Sequence, residues 1–241
     1  MRRNLTSLLC AGALLMGAVA CSDDGDEDTS NPAAPTSEAK DPASGRTMPA
    51  GDEAVEPGTY RIPRSAWSVA DFTVTFPENW SVQYGSIFAR HQDEDAELGF
   101  YAVGVDEIFT DACHGESETT EVGPSVDDLV AALLEQPGPN ASDPVDTTLG
   151  GYPATRIDLE VPQDLDLETC RLFEDGVRGL QVWYSSPADK YFVLLPDAKA
   201  SVYVLDVGGQ RQLFLTQTRA AASVEDRAEL QAILDSIRID A

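Results

Sequence analysis

Ser201-Val202-Tyr203-Val204-Leu205-Asp206-Val207-Gly208-Gly209-Gln210-Arg211-Gln212-Leu213-Phe214-Leu215-Thr216-Gln217-Thr218 is two runs of β-branched, aliphatic and aromatic residues around a glycine pair. Glycine enters positive φ without a Cβ penalty, so Gly208-Gly209 suits the two-residue turn whose twist matches that of its flanking strands. Such a turn sets the register: Val207 opposes Gln210, Asp206 opposes Arg211, Val204 opposes Leu213 and Val202 opposes Leu215. The aliphatic face is then closed at the tip by an acid-base pair, and Asp206 and Arg211 read as structural, not catalytic.

The neighbouring segments follow the same logic. After the hairpin, Ser223 with Asp226 makes a capping box ahead of Leu230, Ile233, Leu234 and Ile237 at helical spacing. Before it, residues 179–184 and 191–195 read as strands, and 155–161 alternates with Ile157, Leu159 and Val161 inward and Arg156, Asp158 and Glu160 outward. Ser125 and Asp128 form a second capping box, followed by Val126, Leu129, Val130, Leu133 and Leu134 on one helix face until Pro137. Residues 71–76 alternate strictly, with Phe72, Val74 and Phe76 on one side. Residues 81–90 and 97–105 read as two further strands around a polar turn at 92–95. Several antiparallel strands, interrupted by one helix and closed by another, predict an α+β domain over residues 59–241: an antiparallel sheet flanked by helices.

Three segments resemble a known group. Phe72-Thr73-Val74-Thr75-Phe76-Pro77-Glu78-Asn79-Trp80, Leu149-Gly150-Gly151-Tyr152-Pro153-Ala154 and Glu229-Leu230-Gln231-Ala232-Ile233-Leu234-Asp235-Ser236-Ile237-Arg238 are similar to the Mog1/PsbP-like superfamily, which includes actinobacterial lipoproteins. In that group a Phe-x-x-x-Phe-Pro-x-x-Trp pattern opens an antiparallel sheet flanked by helices. The resemblance covers most of residues 67–241 and implies a fold and a binding or accessory role, with no shared catalytic residues. The regions around Cys113 and Cys170 and the polar stretch before Ser125 depart from the group's pattern.

Charge excludes one class of partner. With 42 acidic against 16 basic residues the net charge is -26, which repels a polyanion such as nucleic acid at long range. No Gly-x-Ser-x-Gly elbow is present, and Ser37-Glu38-Ala39-Lys40 matches Ser-x-x-Lys only within a polar, Pro-rich segment. Asp164, Asp166 and Glu168 alternate like metal ligands, but an acidic surface loop accounts for them equally. The same acids, with Asp106 and Glu107, are the candidates for a carboxylate-dependent hydrolase of the cell envelope, the rival reading. No catalytic, cofactor or metal site is assigned. The favoured expectation is a non-enzymatic binding module that holds a small apolar ligand or an envelope protein, with Trp67, Trp80, Trp183, Tyr84, Tyr101 and Tyr184 as candidate lining residues.

The amino terminus carries the export reading. Arg2 and Arg3 precede an apolar stretch over residues 5–20, too short for a good membrane span, which ends in Ala18-Val19-Ala20-Cys21. Residues 1–20 therefore read as a lipoprotein signal peptide and Cys21 as the acylated residue that anchors the chain to the extracytoplasmic face of the membrane. Ala18-Val19-Ala20 also satisfies ordinary secretion. Residues 21–58 read as a disordered acidic tether: after Cys21 it has ten acids, two bases, no aromatics, and only Met48 and Val55 as sizeable apolar residues. Cys10 leaves with the signal peptide, so Cys113 and Cys170 remain to form a disulfide in an oxidising compartment. A Cys113-His114 metal or nucleophile pair, with His91, is the alternative. Globomycin should cause a larger, uncleaved precursor to accumulate, as seen by immunoblot; unaltered processing would exclude lipoprotein maturation.

Overall fold

Gly208 and Gly209 both take positive φ, 63° and 82°. The flanking strands pair as the turn requires, Val207 with Gln210, Asp206 with Arg211, Val204 with Leu213 and Val202 with Leu215. This hairpin is the centre of the fold. The structure, a computed structural model, describes residues 45–49, 51–91, 97–114, 118–173, 176 and 178–240. The signal peptide, Cys21, the tether up to residue 44 and the turn at 92–95 lie outside the described residues.

In chain order the strands are β1 (Arg46–Thr47), β2 (Glu53–Val55), β3 (Gly58–Ile62), β4 (Asp71–Phe76), β5 (Trp80–Gln83), β6 (Ile87–Arg90), β7 (Leu98–Val103), β8 (Glu107–Phe109) and β9 (Thr119–Glu121). Helix α1 (Val126–Glu135) follows, then β10 (Asn140–Ala141), β11 (Val145–Leu149), β12 (Tyr152–Glu160), a 3-10 turn at Leu167–Thr169, β13 (Leu180–Ser185), β14 (Lys190–Leu194), β15 (Lys199–Val207), β16 (Gln210–Thr218), α2 (Val224–Ser236) and β17 (Arg238–Asp240). A central sheet of nine strands runs β10-β12-β15-β16-β7-β6-β5-β2, with β11 also paired to β12. A second sheet runs β1-β3-β4-β17 and a third β14-β13-β8-β9.

Both faces of the central sheet are buried. Tyr203, Leu205, Val207, Phe214, Phe100 and Ala102 join Phe72, Val74 and Phe76 of the second sheet and Leu230, Ile233 and Leu234 of α2 in one core. From the opposite face, Val202, Val204, Leu213, Leu215 and Ile157 join Val182, Trp183 and Phe192 of the third sheet and Leu129 and Leu133 of α1 in another. Side chains alternate across a strand, so one hairpin supplies both cores.

The predicted α+β fold, one sheet flanked by helices, is corrected by this architecture. Strand accounts for 47% and helix for 14% of the described residues, and the central sheet is covered largely by two smaller sheets with a helix beside each. The coverage escaped periodicity because β8, β9, β11 and β17 hold three to five residues each, too few to show an alternating pattern. Residues 81–90 are likewise a hairpin and not one strand, turning at Tyr84 (φ 52°) and Gly85 (φ 70°).

The folded part also begins earlier than residue 59. β1 adds in parallel to β3 and β2 pairs with β5, and the two sizeable apolar residues of this stretch, Met48 and Val55, are buried. Backbone pairing to an existing edge needs few hydrophobic residues, which is why composition alone reads the segment as spacer. At the hairpin tip, Asp206 and Arg211 oppose one another but make no ion pair among the described residues. The Asp206 carboxylate accepts the Gly209 N–H at 2.7 Å, capping its own turn. The Arg211 guanidinium donates to the carbonyls of Val105, Gly123 and Ser125, tying the hairpin to the start of α1.

Both helices start at capping boxes. The Ser125 and Ser223 hydroxyls accept N–H groups of Asp128 and Asp226, whose carboxylates accept the N–H groups of the serines in return. Cys113 and Cys170 form the expected disulfide, with Cα atoms 4.6 Å apart and both residues buried. Beside it the Arg171 N–H donates to the Cys113 carbonyl at 2.8 Å and the Gln181 N–H to the Ala112 carbonyl at 2.7 Å, so two loops are clipped to the third sheet. The sequence separation is 57 residues. Constraining a loop of that length in the unfolded chain is worth about 4 kcal/mol. Cys113→Ser should lower stability by that order in chemical denaturation, and the unreduced domain should take up no alkylating reagent at either position.

Candidate functional site

Aromatic residues gather where the third sheet meets the central one. Trp183 and Phe192 are register partners on β13 and β14 and stack at 4.5 Å, and Tyr101 of β7 meets Phe192 edge-on at 6.1 Å. With Trp67, Ile87 and Leu215 they line a cleft of about 60 Å³. Trp67 is carried by the connection before β4, where the Ser65 hydroxyl accepts its N–H at 3.1 Å. Its ring stacks on Tyr84 at 6.3 Å, and the Lys190 ammonium sits 4.8 Å from the Tyr84 ring centre. Tyr84 thus holds a left-handed backbone conformation unusual for a non-glycine residue while packed between an indole and a cation. Burial, with the nearby Glu97 charge, pushes the Tyr101 hydroxyl's pKa well above its ordinary value. Tyr101 is neutral at any physiological pH.

Of the six aromatics singled out in the sequence, Trp67, Tyr84, Tyr101 and Trp183 converge here. Trp80 does not: it lies in the opposite core, its indole Nε1 donating to Glu229 Oε1 at 2.9 Å beside Arg90. Tyr184 is also elsewhere, its hydroxyl donating to Asp189 at 2.8 Å. Phe192, Tyr191 and Lys190 were not anticipated. They enter through the β13–β14 register, which the loop sequence does not specify as the glycine pair does for β15–β16.

A second concavity escaped sequence reading altogether. On the face that carries Leu205 and Tyr203 into the core, β15 continues with Ser201 and Lys199, paired to Asp158 and Glu160 of β12. Arg156 there grips Asp158 with two bonds of 3.0 and 2.8 Å, and the Ser201 hydroxyl adds a third at 2.7 Å. Alongside α2 these residues floor a groove with spaces of about 420 and 190 Å³ that share Arg156, Tyr203, Gln231 and Leu234. In the sequence, Arg156, Asp158 and Glu160 read as the outward half of a strand, while Leu149, Gly150, Gly151, Gln231, Leu234, Asp235 and Arg238 fall in the segments that carry the family resemblance.

Four of the five acids considered for hydrolysis are bonded or paired within the fold. Asp106 accepts the backbone N–H and hydroxyl of Ser186, Glu107 accepts the Thr119 hydroxyl, Asp166 caps the 3-10 turn and Glu168 lies 3.4 Å from Arg178. Asp164 stands in the loop before that turn. Elsewhere, carboxyl shifts at Asp71, Asp111, Asp128, Asp158 and Asp226 all run downward, drawn by the hydrogen bonds and cations around each group. Cys113 being in a disulfide, it is no partner for His114, whose Nδ1 lies 2.8 Å from Asp111 Oδ2. Among the described residues no group of three His, Cys, Asp or Glu side chains is placed to hold a metal ion.

No protein-family model matches the chain, and no curated protein matches it. Among solved structures, it is similar to LpqN, involved in cell envelope biogenesis of Mycobacterium tuberculosis, at 12% identity and TM-score 0.33, over 82% of this chain and 87% of that one. It is also similar to a cyanobacterial PsbP (CyanoP) from Synechocystis sp. PCC 6803 at 10% identity and TM-score 0.35, over 77% of this chain and 95% of that one. Likenesses at these scores assign neither fold nor function, and the functional reading rests on the chain's own residues.

Asp158 connects the groove to acid stability. Burial raises its pKa, but hydrogen bonds from Arg156 and Ser201 and the charges of Arg156 and Lys199 outweigh it and bring the group below its ordinary 3.8. A carboxyl depressed on folding adds stability above its unfolded pKa and loses it as the pH falls through the folded one. Asp158→Asn should therefore lower the melting temperature at neutral pH and flatten the fall in stability below about pH 4. An unchanged acid limb in pH-dependent melting would show that the network contributes nothing.

Proposed function

We propose that the chain is an exported lipoprotein of the cell envelope, acylated at Cys21 and held at the extracytoplasmic face of the membrane, whose folded part is a non-enzymatic binding or accessory module. The observation that carries the binding role is the cleft of Trp67, Tyr101, Trp183 and Phe192, open to solvent beside half-exposed Tyr84 and Tyr191. An apolar, ring-lined concavity is costly to leave wet and favours an apolar occupant. At about 60 Å³ it exceeds the room a water needs and falls well short of a site that encloses a large ligand. It therefore takes one ring or a short alkyl group, as the free ligand or as the end of something larger.

The remaining observations support the setting. The Cys113–Cys170 disulfide suits an oxidising compartment. The apolar run before Cys21, the acidic segment after it and the net charge of -26 suit a domain displayed on a spacer, with no nucleic-acid partner. No helix among the described residues is long and apolar enough to cross a membrane.

Toluene is a probe of the right size. Titrated into the protein, it should shift the indole N–H resonances of Trp67 and Trp183 in a saturable way and leave that of Trp80 unmoved. Trp67→Ala should weaken the response by about tenfold, the loss of one ring's contact area. Absence of saturable shifts, or equal movement at Trp80, would refute an apolar site at this cleft.

A further inference from the structure

From the groove beside α2, we infer a second binding site, for a short saccharide chain that carries anionic groups. Cations are scarce in this protein, 16 in all against 42 acids. Four of them, Arg156, Lys199, Arg227 and Arg238, nonetheless border this one groove. Arg227 and Arg238 make no ion pair among the described residues. Arg238 donates to the carbonyls of Asp235 and Ile237 at 2.8 and 2.5 Å, and Arg227 approaches the Ser223 carbonyl at 3.5 Å. A guanidinium has five donors, so each keeps several for a ligand. Of the acids present, Asp158 is engaged by Arg156, Ser201 and Lys199, Glu160 by Lys199 at 2.8 Å, and Asp235 keeps its charge with only the Gln231 amide on it at 2.8 Å, so the four cations outnumber these three acids.

The spacing speaks for a chain and not a single ion. Arg227 lies in the first turn of α2 and Arg238 just beyond its end, a rise of about 15 Å along the helix, with Arg156 bordering both halves of the groove between them. Between the cations the lining is rich in hydroxyl and amide groups: Thr147, Thr148, Tyr203, Thr216, Thr218 and Gln231. Guanidiniums recognise carboxylate or phosphate oxygens, and a hydroxyl-rich floor exchanges hydrogen bonds with sugar hydroxyls. The overall charge of -26 opposes a long polyanion, so the ligand is an oligosaccharide with a few charges whose contacts are local.

Calorimetry on the purified chain separates the possible occupants. Trigalacturonate should bind with a dissociation constant that rises about tenfold in Arg227→Gln and in Arg238→Gln, each variant melting like the parent because both side chains are exposed. Maltotriose, the uncharged control, and triglutamate, an acidic peptide without sugar hydroxyls, should give no measurable heat. Failure of trigalacturonate to bind, or binding unchanged by both substitutions, overturns the proposal. Equal affinity for maltotriose shows that the cations are idle, and equal affinity for triglutamate shows a peptide site; either result also overturns it.

Discussion

The fold depends on one constraint, the burial of the β15–β16 hairpin on both faces. Val202 and Val204 face one core while Tyr203 and Leu205 face the other, and Leu213, Phe214 and Leu215 repeat the division on the partner strand. A one-residue slip would exchange the two sets and drive each side chain into the wrong core. The Gly208-Gly209 turn prevents that slip locally, before any long-range contact forms. Once the hairpin is set, both faces demand cover, and the chain supplies a smaller sheet and a helix to each.

The aromatic cleft and the polar groove both lie where the central sheet meets its cover. Between β7 of the central sheet and β13 and β14 of the third, the rings of Tyr101, Trp183 and Phe192 leave a cleft that Trp67 and Ile87 also border. Along β12 and β15 the core gives way to polar residues beside α2, because Ser201 and Lys199 occupy the face that Tyr203 and Leu205 fill further on. An apolar concavity and a polar one thus lie on opposite faces of one sheet, and the residues at each margin give them their different chemistry.

Much of this was legible wherever local rules govern structure. The hairpin register, both capping boxes, the alternation of β4 and the Cys113–Cys170 pairing follow from turn conformation, orphan N–H groups, period and compartment. Legibility failed where a segment's structure is set by its partner. β1 and β2 have almost no apolar pattern and exist because edges of β3 and β5 accept them. Arg211 sits opposite Asp206, as expected, yet prefers three backbone carbonyls near α1 that no sequence rule brings near it. The aromatic cleft was half visible, since Trp67, Tyr84, Tyr101 and Trp183 attract notice by type alone, whereas Lys190 and Phe192 acquire meaning only through their pairing with Ser185 and Trp183. The groove was invisible because its residues are scattered from Thr147 to Arg238 and each is ordinary at its own position.

A large excess of acids changes how the cations should be read. Asp128 and Asp226 are held ionised chiefly by Ser125 and Ser223, which hydrogen-bond them at helix starts where the helix dipole also favours negative charge, with Arg211 and Arg90 adding less. The few basic side chains also hold the fold together. Arg211 fastens α1 to the hairpin, and Arg90 joins β6 to α2 through Glu229 at 2.5 Å and Asp226 at 3.5 Å. Each of those is partly buried and ties two or more segments together. Arg227 and Arg238 differ in being exposed and in bonding only carbonyls of their own helix end, where Arg211 reaches carbonyls of other segments. In a protein so short of positive charge, their exposure and their shared place along one groove set these two apart from the structural cations.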